Sequence, residues 1–557
     1  LVVITNLERN RHTDTETVMS STAAQWGKEI ATETIGEVPF RMYTERPRRV
    51  EGLLDFASRW GNRPHIIQGE RVVTFEELHH GAVAKARQLA GLDIRRGDRI
   101  FILGWNSPEW VINFWACLLV GAVPVLANAW WSEAEVGNGL AALQPAMTLA
   151  DERCAARVPA ASSRLGPWGI DWTWSQGGDA LADAEGARGE EETALIIFTS
   201  GTSGQPKAVV LSHRALLARL QMTLHITRKL PHQIDETARD VTLITGPLFH
   251  VGGMQTLMRA VVVGDTLVIL EGKYDPAEVL ACIERNKVRR WNAVPTMVTR
   301  LLDHPDVPRR DLSSLKSISI GGAPVHAELM QRIRTQLPSV SPRIPTGYGL
   351  TENGGQATAA AGSEDIEELG SAGKPLPCVE IRFLPHPGLP DGEILLRSPT
   401  QMSGFYGLDE SPVDEEGWLH TGDLGRLDDK GNLWITGRSK DMIIRGGENI
   451  APVAIERALV AIPGVAEAVV FGVPHPDLGE EVMAIVVVER DLTPQQLQGA
   501  LRSSLASFAV PSRWRIQKDP LATNHTGKVD KPALAAHARA EIAQERAKAD
   551  ARQTDEE

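Results

Sequence analysis

Residues 194–213 read ALIIFTSGTSGQPKAVVLSH: the apolar run from Ala194 to Ile197 passes Phe198, opens into Thr199-Ser200-Gly201-Thr202-Ser203-Gly204, and reaches Lys207 before a second β-branched run. That order predicts a strand leading into a loop of glycines and hydroxyls. Glycine lets the backbone approach closely, so its N–H groups and the short hydroxyls suit phosphate oxygens, with Lys207 adding charge. The loop is not a Walker A sequence: GxxxxGK[ST] occurs nowhere, and the Gly-Lys pairs at Lys374 and Lys528 are followed by Pro375 and Val529. By itself the stretch also fits a flexible Gly/Ser surface loop, so other segments must decide.

Around it, helix-like stretches such as Glu76–Leu89 alternate with β-branched runs such as Arg99–Leu103, the pattern of α/β layering around parallel strands. Further strands are expected at Leu195–Phe198, Val241–Thr245, Val261–Leu270 and Ser317–Ile320, several ending in the Gly, Pro or Ser clusters where such folds bind ligands. Residues 151–192 read as a surface connection with little regular structure. Beyond Gly437 the texture becomes α+β, with strands at Val465–Val473 and Val482–Val488 and a helix at Leu497–Leu505. The organisation expected is a poorly ordered leader (1–35), a large domain (36–438), a smaller one (439–540) and a charged, fraying tail (541–557).

The 557 residues carry 58 basic and 71 acidic side chains, a net charge of −13, which argues against broad attraction to nucleic acid or acidic membranes. Cys117, Cys154, Cys282 and Cys378 lie far apart, giving neither a disulfide framework nor a zinc pattern. No export signal is read at the start, and the expected compartment is cytoplasmic. The longest apolar segment, Val111–Trp131, contains Asn113, Gly121, Pro124 and Asn128, and predicts a buried helix, a turn and a strand rather than a membrane span.

Four more segments offer groups that a nucleotide needs. Gly347-Tyr348-Gly349-Leu350-Thr351-Glu352 supplies an aromatic face, a hydroxyl and a carboxylate able to hold Mg²⁺ beside phosphates. In Trp418-Leu419-His420-Thr421-Gly422-Asp423, the aspartate suits ribose hydroxyls. The run from Gly437 to Ile450 places Arg438, Lys440 and Arg445 at the expected domain boundary, and Asn524–Lys531 carries Lys528 behind a glycine in a polar loop. Each alone fits an ordinary turn or linker.

Together and in this order, the five segments resemble the adenylate-forming superfamily, which contains acyl- and aryl-CoA synthetases, luciferases and peptide-synthetase adenylation domains. The likeness runs from about residue 50 to 540. It implies an α/β fold with a large N-terminal domain of layered α/β subdomains plus a small barrel-like part, and a smaller mobile C-terminal α+β domain. The implied reaction has two steps: a carboxylate and ATP give an acyl-adenylate and pyrophosphate, then a thiol attacks the anhydride.

By motif position, Thr199, Ser200, Gly201, Thr202, Ser203, Gly204 and Lys207 would hold the β- and γ-phosphates, and Lys528 would reach the α-phosphate and the substrate carboxylate. Thr351 would contact phosphate, Glu352 would bind Mg²⁺, Asp423 would hold the ribose, and Arg438 would contact ribose or phosphate. Gly321, Gly322, Ala323, Pro324 and Tyr348 would line the adenine and acyl pockets. Lys440 would be the hinge, swinging Arg445, Gly446, Gly447 and Glu448 toward the nucleotide and CoA for the second step. Two positions depart from the family pattern: Ala208 follows Lys207 where glycine is usual, and Ala454 replaces an acidic residue after the hinge.

Pro247-Leu248-Phe249-His250-Val251-Gly252-Gly253 lacks the aspartate that anchors an amino-acid substrate and resembles the acyl- and aryl-CoA branch, with His250, Val251, Gly252 and Met254 at the acyl pocket. A packed loop histidine is the alternative for His250. Expected partners are a fatty or other hydrophobic carboxylic acid, ATP and CoA, with no nucleic acid and no stable membrane insertion; a homodimer is compatible with the sequence. A ligase loading a separate carrier protein ranks second, a luciferase-like oxygenase well below, and a catalytically silent nucleotide-binding protein is the alternative of another class.

Overall fold

The structure is a computed structural model that describes residues 26–160, 164–171, 189–199, 206–237, 239–322, 325, 327–341, 344–360, 371–386, 391–502, 505–524 and 527–554. The expected loop residues Ser200–Gly204, with Ala323 and Pro324, lie outside these, as do residues 1–25 of the leader, 172–188 and 555–557. Among the described residues two large sheets build the N-terminal domain. One runs, in spatial order, Gly404–Phe405, Lys207–Ser212, Thr193–Thr199, Val123–Leu126, Arg99–Leu103, Met147–Ala150 and Leu165–Gly166. The other runs Ser317–Ile320, Arg290–Ala293, Val241–Ile244, Thr266–Ile269, Pro64–Gln68 and Arg71–Thr74.

Local chemistry sets these elements. The helix Phe75–Gly91 begins in a capping box, with Thr74 Oγ1 accepting from Glu77 N (3.1 Å) and Glu77 Oε2 accepting from Thr74 N (2.8 Å). Ser107 caps the helix Pro108–Val120, Pro108 fills its first turn, and Gly121 ends it at φ 83° before the strand Val123–Leu126. Trp110, Phe114 and Trp115 on that helix are fully buried, each stabilising the core by about 2–3 kcal/mol. The longest apolar stretch is thus core, and among the described residues no helix is long and apolar enough to cross a membrane.

The expectations for Val261–Leu270 and for the leader need correction. Val261–Leu270 is not one strand: Val261–Val263 complete the helix Val251–Val263, Gly264 closes it at φ 76°, and the strand is Thr266–Ile269. Burial outweighs the strand preference of the valines, and the Trp60 ring lies 2.7 Å from where a Cβ on Gly264 would stand. The leader is ordered by Ile30, since Ile30–Ile35 pairs antiparallel with Val38–Tyr43 and Arg46 holds Glu33 at 2.7 Å. Residues 151–192 include a short helix at Glu152–Ala155 and the edge strand Leu165–Gly166.

The barrel-like part is an antiparallel sheet of Glu380–Pro385, Gly392–Arg397, Leu419–Leu427 and Leu433–Arg438, with two short hairpins nearby. After it, Glu448–Ile450, Ile443–Arg445, Gly479–Val488 and Val465–His475 form the C-terminal sheet, which Arg513–Gln517 joins in parallel. The expected helix Leu497–Leu505 is Pro494–Leu501, started by a Thr493–Gln496 capping box. The tail is a continuous helix, Lys531–Thr554, that crosses residue 540. It is not a solvated, fraying element at its start: Ala535, Ala538 and Ile542 are buried against Val469, Phe471 and Ile485 on one face of the sheet.

Candidate active site

Thr199 and Lys207 face each other across an antiparallel pair, at the two ends of the stretch that carries Ser200–Gly204, which lies outside the described residues. Lys207 pairs with Glu410 and its ammonium stands 4.9 Å from the Phe405 ring centre. Ala208 has an ordinary negative φ within the strand, so the alanine is accommodated where glycine was expected.

Strand pairing brings Asp423 opposite Arg438. Asp423 is 4 % exposed; its Oδ1 accepts from Arg438 Nε at 2.6 Å and its Oδ2 from the Tyr348 hydroxyl at 2.7 Å. Burial and the adjoining Asp423 carboxylate hold the Tyr348 hydroxyl well above its ordinary range, so it remains a donor. Burial lowers the Arg438 pKa, but the charge and hydrogen bond of Asp423, with Tyr348 and Asp441 nearby, together turn the net shift upward. Thr351-Glu352-Asn353 form one tight turn, closed by Gly354 at φ 62°. Burial raises the Glu352 carboxyl, with Arg438 and Lys207 near enough to oppose the shift.

Lys528 arrives from the C-terminal domain. Its loop is a hairpin end: Asn524 N donates to Lys528 O (2.8 Å), Gly527 N to Asn524 O (2.9 Å), and Lys528 N to Asn524 Oδ1 (3.2 Å). Thr296 Oγ1 donates to Gly527 O, fastening this loop to the large domain. The Lys528 side chain then crosses Gly322, where a Cβ would stand 2.9 Å from Lys528 Cε and 3.3 Å from Nζ; Gly322 is also at φ 80°. The backbone therefore favours glycine there, and any side chain added would push the end of Lys528 aside. Burial, then the charge of Arg438, depresses the Lys528 pKa.

Lys528, Arg438, Asp423, Tyr348 and Gly322 thus converge. Lys440 lies exposed in the turn Ser439–Asp441, between the two domains. The hairpin of Arg445, Gly446, Gly447 and Glu448 is tied elsewhere: Arg445 Nη1 donates to Phe508 O (2.7 Å) and Gly446 N to Leu478 O (2.8 Å), both in the C-terminal domain. On the acyl side, His250 precedes the helix that Val251 begins, its ring centre 4.9 Å from that of Phe249. Met254 is fully buried and Gly252 exposed. The adjacent Gly253 is the sterically required glycine, since a Cβ there would meet Pro247 O at 2.5 Å. Gly321 has open space where a Cβ would stand.

Sequence reading missed Thr296, whose bond to Gly527 depends on a pairing across 231 positions. It also missed a cavity of about 440 Å³ beside the Lys528 loop, lined by Trp105, Trp130, Phe249, Tyr274, Met297 and Asn524. The aromatic content of residues 105–131 was its one available signal. A second cavity, of about 370 Å³ and lined in part by Glu191, Glu192 and His213, sits at the start of the strand Thr193–Thr199, the end away from the phosphate loop. Among the described residues no group of three or more His, Cys, Asp or Glu side chains could hold a metal ion.

Comparison with known proteins places the chain in a family. The model of the family described as AMP-binding enzyme matches residues 53–406, and that described as AMP-binding enzyme C-terminal domain matches residues 454–528. A 2-succinylbenzoate–CoA ligase of Bacillus velezensis is 32% identical over 501 residues, covering 88% of this chain and 97% of that protein. A feruloyl-CoA synthase of an Amycolatopsis species is 31% identical over 482 residues, covering 84% and 94%. Among solved structures, the o-succinylbenzoate CoA synthetase of Bacillus subtilis in complex with its acyl-adenylate intermediate aligns with TM-score 0.74 and 29% identity over 86% of this chain and 97% of that one. ATP-bound MatB from Rhodopseudomonas palustris aligns with TM-score 0.76 and 26% identity, over 88% and 99%. The chain belongs to the AMP-binding enzyme family and carries both its main and its C-terminal domain.

Proposed function

We propose that this protein is an AMP-forming carboxylic acid:CoA ligase, which activates a hydrophobic carboxylic acid as its acyl-adenylate and transfers the acyl group to CoA. The observation that carries the reading is that Lys528, from the C-terminal domain, lies over Gly322 and within the field of Arg438, which Asp423 and Tyr348 hold in place. A carboxylate alone is a poor acyl donor because oxide would have to leave, whereas AMP leaves readily. Negative charge gathers at the α-phosphate as the carboxylate attacks, and preorganised cations stabilise it.

In this reading the Lys528 ammonium bridges the α-phosphate and the attacking carboxylate. Asp423 accepts from the ribose hydroxyls, held in place by Tyr348 and Arg438. Thr199, Lys207 and the loop between them cradle the outgoing pyrophosphate, and Thr351 adds a hydroxyl. Glu352 fits Mg²⁺: it is a half-buried carboxylate whose proton affinity is raised, so a cation beside it restores its charge, and one or two carboxylates plus phosphates are an ordinary Mg²⁺ setting. When bound, Mg²⁺ would neutralise phosphate charge. The tying of Arg445–Glu448 to Phe508 and Leu478 in the present arrangement supports assigning it to the first step. Rotation about Lys440, between units 36–438 and 439–540, would withdraw Lys528 and bring Arg445–Glu448 to CoA.

The test is a panel of carboxylic acids with ATP, Mg²⁺ and CoA, scored for pyrophosphate and thioester. Lys528→Ala should abolish adenylate formation yet still convert a supplied acyl-adenylate to thioester. Equal loss of both half-reactions would refute the assignment of Lys528. Pyrophosphate release without any thioester would point to a carrier-protein acceptor, and a blank panel to a silent nucleotide-binding protein.

A further inference from the structure

The helix His213–Ile226 leaves the phosphate-loop hairpin and carries Arg219 into the interior, where the residue is 6 % exposed. Arg219 Nη2 donates to Gln356 Oε1 at 2.7 Å and Nη1 to Thr223 Oγ1, but Nε has no hydrogen-bond partner. Among the described residues no carboxylate pairs with it, and burial lowers its pKa to about 10. A buried guanidinium without a counter-charge is costly, and structures retain one where something else supplies the charge.

Its surroundings say where that charge would come from. Gly355 has no side chain, and the point where its Cβ would stand lies 3.8 Å from Arg219 Nε and 3.4 Å from Val251 Cγ2. Val251 is an expected acyl-pocket residue, and Gly355 follows the Glu352 turn by three positions. One helical turn beyond Val251, on the same helix face, Gln255 carries a second buried donor, Nε2, with no partner. Two donors without acceptors therefore flank the expected acyl pocket. A purely aliphatic chain would leave both unsatisfied, whereas a carboxylate accepts from each and neutralises the cation.

We propose that Arg219 binds the far end of the acid, and that the preferred substrate is an acid with a hydrophobic body and a second, distal carboxylate. This rests on the ligase reading above. The experiment compares diacids, from adipic to dodecanedioic acid and including phenylene-linked diacids, with their monomethyl esters, which keep one activatable carboxylate and lose the distal charge. Pyrophosphate exchange and thioester formation are measured for the wild type, Arg219→Met and Arg219→Lys.

The wild type should favour a diacid over its half-ester by on the order of a hundredfold in kcat/KM, with the ratio collapsing toward one in Arg219→Met and partly kept in Arg219→Lys. A purely structural role for Arg219 would lower both substrates together and leave the ratio unchanged, which overturns the proposal. Half-esters or simple fatty acids matching the diacids in the wild type overturn it too, while leaving the ligase intact, and that comparison stands even if Arg219→Met does not fold. If no acid of any kind is activated, the ligase reading falls and this inference with it.

Discussion

Replacing Gly322 by alanine puts one methyl group against Lys528, the side chain to which the proposed mechanism gives the first half-reaction. The new Cβ would stand 2.9 Å from Lys528 Cε and 3.3 Å from Nζ, closer than real carbon contacts come, so the lysine must move by several tenths of an ångström. The backbone adds a second cost, because φ 80° in an L-residue is strained by about 1–2 kcal/mol. Displacing a catalytic group by about 1 Å can cost on the order of a hundredfold in rate. ATP–pyrophosphate exchange in Gly322→Ala should therefore fall by about ten- to a hundredfold, while thioester formation from supplied acyl-adenylate, with Lys528 withdrawn, falls far less. The double variant Gly322→Ala, Lys528→Ala separates the terms: relative to Lys528→Ala alone it should lose only the backbone strain in stability. Equal slowing of the two half-reactions, or full exchange activity in Gly322→Ala, would refute the placement of Lys528 over Gly322.

Asp423→Asn removes the carboxylate that holds Arg438 and Tyr348, and should raise the KM for ATP at least tenfold with a smaller effect on the KM for CoA; steady-state titration of each substrate checks this. Tyr348→Phe deletes one hydrogen bond to Asp423 and should cost about 1 kcal/mol, a several-fold rise in the same constant. His65 is fully buried, and burial lowers its pKa from 6.5 to about 4. In that window the unfolded chain binds more protons than the folded one, so stability is full above pH 6.5 and falls by roughly 3 kcal/mol as the pH drops through the window. Urea melts across that range check it, and His65→Gln should flatten the profile.

The segments on which the proposed reading rests were legible because their chemistry is local: a Tyr-Gly turn, an aspartate and a lysine in polar loops. Their convergence depends on strand register, as in Asp423 facing Arg438, which no single segment displays. Groups whose meaning comes from burial stayed hidden. Arg219, in Leu-Ala-Arg-Leu-Gln, reads as the wet face of a helix, yet the whole run is inside. Lys85 reads the same way, but its ammonium is enclosed by Pro167 O and, at 3.0 Å, Gly169 O, with its pKa down to about 8. The terminal helix hid its buried stripe because alanine, its main apolar residue, carries little pattern. Val261–Val263 misled in the opposite sense, as strand-forming residues placed in a helix by packing.

The bond from Thr296 to Gly527 and the passage of Lys528 across Gly322 join the two domains at one place, and under the proposed mechanism the first-step site is a composite of both. Any nucleotide that uses Lys528 then binds only the docked fraction of the population, and its apparent dissociation constant is the intrinsic one divided by that fraction. Reciprocity requires ATP to favour docking by the same factor with which docking strengthens ATP. A change at Thr296, which need never touch the nucleotide, would accordingly register as weaker ATP binding.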